Sequence, residues 1–151
     1  MRKSGLIATL AAGMILLSAC GSGTKTIDAA ALASSLATDI SYDDTLEQIS
    51  DDDVSMYIEV PEGVKSYVYM GSGSTAEEVA VFEAPDKDTA STVKDNVQTY
   101  LDDQSDSFQD YIPEESKRIG NAVLEQKGQY VILCVSGDSE GAKEIIEKAF
   151  K

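Results

Sequence analysis

VAVFEAPDKDTA, residues 79–90, joins an apolar run to an aspartate and then to the start of a helical pattern. An aspartate before a helical pattern is a typical N-cap, because its carboxylate accepts a hydrogen bond from the free backbone amides of the first turn. VILCVSGDSEGA, residues 131–142, aligns with this stretch without a gap and keeps the valine, the capping aspartate and the helix alanine in place. The two stretches predict the same local structure twice, a strand followed by a capped helix.

Each of these strands follows a second strand pattern. Val64–Met70 is rich in β-branched and aromatic residues and precedes a Gly/Ser turn signal, and Ala122–Gln126 precedes a Lys127-Gly128 turn. Val79–Ala84 and Val131–Val135 are apolar on both alternations, as expected for central strands covered on two faces. The sequence therefore predicts an α+β fold in which two β-β-α units form a four-stranded, mainly antiparallel sheet with both long helices on one face.

The segments outside the two units are expected to cover the sheet and connect its halves. A helix from Asp28 to about Thr38 is predicted to cover the second face, with Met56–Val60 as the alternative. Tyr42–Asp53 carries five aspartates and little apolar periodicity, which favours a loop or a weak helix. Pro113 suits a first helical turn, so a short connecting helix is predicted between the units.

The first 19 residues have the layout of a secretory signal peptide. Arg2 and Lys3 precede an apolar stretch, Leu6–Leu17, that is shorter than the roughly 20 residues a membrane-spanning helix needs. Residues 20–27 then read as a flexible tether, and residues 28–151 as one α+β domain. A permanent transmembrane helix is therefore not expected.

Leu17, Ser18, Ala19 and Cys20, followed by a small glycine, resemble the lipobox of bacterial lipoprotein precursors. The resemblance implies that the Cys20 thiol carries a diacylglyceryl group and that cleavage leaves Cys20 as the first residue. Two acyl chains suffice for stable anchoring where one does not. The expected location is thus the extracytoplasmic face of the cell membrane, held by a lipid anchor. A plain signal peptide with an incidental cysteine is the alternative.

The chain is strongly acidic, with 27 acidic and 12 basic side chains and a net charge of -15. Nucleic acids and anionic lipid head groups are recognised mainly through Lys and Arg, so nucleic acid is excluded as an expected partner. A solvated surface is a simpler explanation of the acid excess than an acidic recognition patch.

The sequence contains no histidine, which removes the usual general base and metal ligand. The glycines of Gly71–Ser74 lack the lysine of a phosphate-binding loop and are interpreted as a hairpin turn. No cofactor is expected. Two acidic clusters lack the ligand spacing of an EF-hand loop and are expected to be solvated: Asp51, Asp52 and Asp53, and Asp102, Asp103 and Asp106.

Two single side chains carry further expectations. Cys134 lies in an apolar run, which favours a buried, unreactive side chain. An intramolecular disulfide is not expected, because lipidation of Cys20 leaves no second free thiol. Arg118 is the only arginine outside the signal peptide and suits a bidentate carboxylate contact. A pair with a nearby acidic residue is the first expectation for Arg118, and contact with an anionic ligand is the alternative.

The whole pattern resembles the uncharacterised lipoprotein family DUF4358 of Gram-positive gut-type bacteria. The resemblance rests on the lipobox, EEVAVFEAPD (77–86), DYIPEE (110–115) and NAVLEQKGQYVILCVSGD (121–138), and it covers most of the chain after the tether. It implies a bacterial envelope lipoprotein and carries no established activity or site residues.

The leading functional hypothesis is a non-catalytic module, anchored to the membrane, that binds an envelope protein or a small ligand. The acidic clusters leave open a calcium- or cation-dependent scaffold domain. A small hydrolase that uses paired carboxylates is the third hypothesis, since its two acids can come from anywhere in the chain.

Overall fold

The computed structural model describes residues 24–151, and within them five strands form one antiparallel sheet. In chain order the elements are α1 (Ala29–Asp39), β1 (Glu47–Gln48), α2 (Asp51–Val54), β2 (Lys65–Met70), β3 (Glu78–Glu83), α3 (Lys87–Gln109), α4 (Pro113–Gly120), β4 (Val123–Lys127), β5 (Tyr130–Val135) and α5 (Ser139–Phe150). The strand order across the sheet is β1-β2-β3-β5-β4. The predicted signal peptide, the lipobox and Cys20 lie outside the described residues.

The two predicted central strands form the middle of the sheet. β3 pairs with β5 along its whole length, with Val79 opposite Cys134 and Phe82 opposite Val131. All six residues of β5 are buried, as are the first five of β3. Such continuous burial requires cover on both faces of the sheet, which explains the apolar character of both alternations.

The two long helices lie on opposite faces of the sheet, so the prediction that they share one face is wrong. Alternate residues of β3, Ala80 and Phe82, pack in one apolar cluster with α3. Val79 and Val81 point the other way and pack in a second cluster with α1 and α5. The sheet is therefore sandwiched between α3 on one side and the α1 and α5 pair on the other.

The sheet also has a fifth strand that the sequence analysis did not predict. β1 pairs with the outer edge of β2 through only two residues, Glu47 and Gln48, both exposed. The prediction of a loop or weak helix over this region is confirmed for the short α2, which Ser50 caps, and is wrong for β1. In the predicted four-stranded sheet both β2 and β4 are outer strands. This is wrong for β2, which has β1 beside it, and confirmed for β4, which pairs only with β5.

The predicted helix boundaries and turns are confirmed. Side chains of Asp28, Asp86 and Asp138 accept hydrogen bonds from backbone amides in the first turns of α1, α3 and α5. Pro113 begins α4, and the turn between β4 and β5 contains Gly128 with a φ of 60°, a left-handed conformation that glycine adopts without strain. The helix starts and this turn could thus be predicted from the local sequence.

The N-terminal helix covers the sheet face opposite α3, where Leu32 and Leu36 are fully buried. The alternative cover, Met56–Val60, lies instead on the α3 face, where Ile58 is buried. No helix within residues 24–151 is both long and apolar enough to cross a bilayer.

Candidate functional site

Arg118 in α4 lies among three carboxylates at one end of the sheet. Its Nη2 donates to Asp43 Oδ2 at 2.6 Å, and its Nη1 lies 3.0 Å from Glu77 Oε1 and 3.2 Å from Glu115 Oε2. The Nη1 contacts have ion-pair distances but lack hydrogen-bond geometry. The side chains of Glu77 and Glu115 are almost fully buried, at 1% and 7% exposure. An anionic ligand at Arg118 would have to displace these carboxylates.

Glu77 connects this cluster to the loop before β1. The backbone N–H groups of Asp43 and Asp44 each donate to Glu77 Oε2 at 2.9 Å. Charge-assisted hydrogen bonds of this kind are stronger than those between neutral groups. Glu115 makes a similar contact in α4, where its Oε2 accepts the backbone N–H of Ala76 at 2.8 Å. Glu77 and Glu115 therefore hold the loop before β1, the β2–β3 loop and α4 together.

Asp44 fixes the start of the β2–β3 loop. Its Oδ2 accepts both the backbone N–H and the hydroxyl of Ser72, at 2.6 and 2.7 Å. These bonds hold the pKa of Asp44 below its usual value. Gly71 allows the approach, since a Cβ at this position would lie 2.6 Å from Asp44 Oδ2. The loop that borders the Arg118 cluster thus has a defined conformation.

A cavity of about 300 Å³ lies beside this loop, on the α3 face of the sheet. Its walls come from four places: Ile49 and Asp53 near α2, Met70 and the β2–β3 loop, Glu77 and Glu78 at the start of β3, and Tyr100, Gln104 and Phe108 on α3. Small-molecule sites are typically concave, mainly apolar and lined by a few polar groups. This cavity is concave but more polar than that, because roughly half of its wall is polar.

Glu78 is the polar group that sets the cavity apart. Glu78 is only 4% exposed, and its Oε2 accepts a hydrogen bond from the Tyr100 hydroxyl at 2.9 Å. Burial raises the pKa of Glu78 from its usual 4.5 to about 7, although the Tyr100 hydrogen bond opposes the shift. Burial and the nearby carboxylate also raise the pKa of Tyr100. A buried carboxyl group with a shifted pKa inside a cavity is typical of a functional site.

A second concavity of about 490 Å³ lies between α1 and α5. Ile27, Leu32 and Ile145 contribute apolar surface, and Lys25 and Lys148 contribute positive charge. It contains no buried polar group that points to a ligand. The cavity beside Glu78 is therefore the stronger candidate.

The two acidic clusters are not arranged as metal centres. Asp53 belongs to a capping box with Ser50 at the start of α2, and Asp102, Asp103 and Asp106 are exposed on α3. Within residues 24–151, no group of three or more His, Cys, Asp or Glu side chains is placed to hold a metal ion. The acidic clusters are therefore mainly surface or capping groups.

Cys134 lies in the middle of the second apolar cluster, far from solvent. It is 1% exposed, and its Sγ is 3.5 Å from the Tyr42 hydroxyl, which also donates to the Leu36 carbonyl at 2.8 Å. Burial raises the pKa of the thiol above its usual value, which disfavours the reactive thiolate. This matches the predicted buried, unreactive side chain.

The profile of a family described as Domain of unknown function (DUF4358) matches residues 46–136. The chain belongs to the DUF4358 family. The resemblance found in the sequence is thereby confirmed. No curated protein and no solved structure matches the chain.

The DUF4358 region runs from just before β1 to just after β5, so it contains the whole sheet and leaves α1 and α5 outside. Every residue that lines the cavity beside Glu78 falls within it. Within the Arg118 cluster, Glu77, Glu115 and Arg118 also belong to the DUF4358 region, and only Asp43 lies before it. Apart from Asp43, the candidate site thus lies within the matched region and not in the flanking helices.

Sequence reasoning singled out Arg118 but missed Glu77, Glu78, Glu115 and Tyr100. One feature of the sequence could have indicated Glu77 and Glu78 as buried acidic residues. Two adjacent glutamates, Glu77 and Glu78, precede an apolar strand that was expected to be covered on both faces. A carboxylate at the start of such a strand is forced toward the interior, where it needs a partner.

Proposed function

We propose that this DUF4358 protein is a lipid-anchored lipoprotein of the extracytoplasmic face of the cell membrane, whose domain binds a small ligand in the cavity beside Glu78 without catalysing a reaction. The observation that carries the binding role is the largely buried carboxyl group of Glu78, which lines a cavity with both polar and apolar walls. The lipobox at Leu17–Cys20 supports the anchor.

The state of the neighbouring acids supports binding over hydrolysis. Carboxylate-based hydrolysis of sugars uses two acids that face one cleft, one as acid and one as base or nucleophile. Of the other two acids in the cavity wall, Glu77 is paired with Arg118 and Asp53 accepts hydrogen bonds from Ser50. Glu78 therefore has no second carboxyl group available beside it.

The contacts around the cavity also disfavour the calcium-dependent scaffold. Calcium takes about 6 to 8 oxygen ligands, preferably from several carboxylates. Besides Glu78, the wall also holds Asp53 and Glu77, but within residues 24–151 no group of three or more His, Cys, Asp or Glu side chains is placed to hold a metal ion. A small organic ligand fits this wall better than a calcium ion.

We expect small organic fragments to bind in the cavity, and a side chain that fills it to prevent binding. Ala76 lines the cavity and is half-buried, so Ala76→Phe places a ring in the space. Ala30→Phe adds the same ring to an exposed position of α1 and serves as the control. Ligand-observed NMR on the full chain measures binding to each variant.

Fragments that bind the wild-type protein and Ala30→Phe but not Ala76→Phe support the proposal. Fragments that bind all three proteins equally, or a screen without any bound fragment, contradict it. The folded state of both variants is checked by circular dichroism before the screen.

We expect Cys20→Ala to release the protein from the membrane, because the thiol that takes the lipid is lost. Cell fractionation measures the distribution, and metabolic labelling with palmitate measures lipid attachment. Cys134→Ala is the matched control, since Cys134 is buried in the folded domain and should leave anchoring unchanged. A Cys20→Ala protein that stays in the membrane fraction and still takes up the label would refute the anchor.

A further inference from the structure

We infer that the cavity beside Glu78 binds a small organic ammonium ion, whose N–H groups donate to Glu78 Oε1. The inference rests on the proposed function, because it names the ligand class of the same cavity. It follows from three features: a largely buried carboxyl group with one oxygen that has no donor from the protein, the absence of a cation in the cavity wall, and the aromatic rings that share this wall.

The oxygen without a donor is Glu78 Oε1, which keeps contact with solvent although the residue as a whole is only 4% exposed. The other carboxylate oxygen accepts the Tyr100 hydroxyl, and no donor within residues 24–151 reaches Oε1. Oε1 therefore lacks a donor from the protein, and the largely buried carboxylate lacks a counter-ion, which costs free energy. A ligand with N–H donors and a positive charge would meet both needs at once.

The cavity wall contains three carboxylates but no Lys or Arg: Asp53, Glu77 and Glu78. Only Glu77 has a basic partner, Arg118, whereas Asp53 accepts hydrogen bonds from Ser50 and Glu78 accepts one from Tyr100. Of the two carboxylates without a cation, only Glu78 is buried, and no cation contributes to its pKa. The potential in the cavity therefore favours a cation and disfavours an anion.

The remaining wall favours an organic cation over a metal ion. Tyr57, Tyr100 and Phe108 bring three aromatic rings to the cavity, and Tyr57 is half-exposed at its edge. Aromatic faces attract ammonium groups, whereas hard metal ions need a shell of oxygens. The volume of about 300 Å³ is at the lower end of small-molecule sites and suits an amine with a short apolar body.

Three probes of the same shape and different charge test the inference: benzylammonium, benzyl alcohol and benzoate. At pH 8 and low salt, we expect benzylammonium to bind the full chain at least about tenfold more tightly than benzyl alcohol, the range expected for a hydrogen bond to a charged group. Benzoate is expected not to bind. Titrations followed by NMR give the affinities.

Glu78→Gln is the decisive variant, because it removes the charge and keeps an oxygen for the Tyr100 hydroxyl. We expect it to lower the benzylammonium affinity about tenfold and to leave that of benzyl alcohol unchanged. Glu83→Gln is the control for net charge. Glu83 lies at the opposite end of the same strand and pairs with Lys65, so this variant should bind all probes as the wild-type protein does.

Two outcomes overturn the inference. One is that benzylammonium and benzyl alcohol bind the wild-type protein equally, in which case the cavity binds ligands but not through an ammonium group, and the proposed function stands. The other is that benzylammonium does not bind at all. The fragment screen with Ala76→Phe then decides separately whether the cavity binds any ligand.

Discussion

Arg118→Ala is expected to lower the free energy of unfolding by about 3 to 5 kcal/mol, the range for removing one partner from a buried ion pair. The substitution leaves Glu77 and Glu115 buried without a counter-ion, at 1% and 7% side-chain exposure. The exposed fraction of Arg118 itself is 17%, so solvent can screen the remaining charges only weakly. Urea unfolding at pH 7, followed by circular dichroism, measures the change.

Lys143→Ala is the control for this prediction. Lys143 forms an ion pair with Glu140 of the same helix at 2.8 Å, as Arg118 does with Glu115, but both side chains of the Lys143 pair are exposed. Exposed pairs contribute little, so its unfolding curve should overlay that of the wild-type protein. Equal curves for Arg118→Ala and Lys143→Ala would show that the Arg118 cluster has no role in stability.

A further variant separates charge from packing. Arg118→Met with Glu77→Gln and Glu115→Gln removes the three charges together and keeps the approximate side-chain volumes. We expect this triple variant to recover part of the loss, because no charge is left buried without a partner. A triple variant no more stable than Arg118→Ala would place the loss in packing instead.

Glu78→Gln is expected to raise the free energy of unfolding at pH 8 by about 3 kcal/mol, which is the free-energy equivalent of the pKa shift of Glu78. The folded state holds the Glu78 proton up to a pKa of about 7, whereas the unfolded chain releases it near 4.5. Between these values the folded protein binds more protons than the unfolded one. The contribution of Glu78 is thus fully present below pH 4.5 and is lost as pH rises to about 7.

The measurement is the free energy of unfolding of both proteins across this pH range. The wild-type protein should lose stability relative to Glu78→Gln as pH rises, and the two should converge near pH 4.5. Other charged groups near Glu78 are present in both proteins and cancel in the comparison: Asp53, Tyr57, Glu77, Tyr100 and Arg118. Parallel curves would contradict the raised pKa of Glu78.

Glu78 is proposed to favour ligand binding, but it is expected to lower the stability of the folded domain. The ionised side chain is expected to lower stability at neutral pH, and the neutral glutamine of the same shape is expected to be better for folding alone. Groups that cost stability are found where activity or binding requires them. This is a second reason to place the ligand site at Glu78.

Much of the fold was predictable because it depends on local patterns. Apolar runs identified β3 and β5, and capping aspartates such as Asp86 and Asp138 marked the helix starts. β1 was missed because two residues cannot show a periodic pattern. Its pairing depends on where β2 lies.

The placement of α3 and α5 could not be read from the sequence, because it depends on the pairing register. Each aligned stretch begins with a valine that faces away from the helix that follows. Val79 faces away from α3, and Val131 faces away from α5. The register places Val79 beside Cys134, which faces its own helix. Val79, which faces away from α3, therefore lies on the same face of the sheet as Cys134, which faces α5. A shift of one residue in register would have put both helices on one face.

The candidate site was harder to predict than the fold because its partners are distant in sequence. Tyr100 meets Glu78 across 22 positions, and Arg118 meets Asp43 across 75. Sequence alone identified Arg118 by its rarity and predicted a carboxylate partner. The choice among 27 acidic residues required the tertiary structure.

The edges of the sheet bear on how closely copies of the protein can be crowded. Open strand edges invite pairing between molecules, and short or charged edge strands oppose it. One edge consists of the two-residue β1 and the Lys65 end of β2, where Lys65 is charged and exposed, and the other is β4, which carries the Glu125 and Lys127 ion pair. Lipid anchoring, as proposed, would concentrate the chains in two dimensions. Sheet edges of this kind would then keep neighbouring copies from polymerising into a continuous β-structure on the membrane.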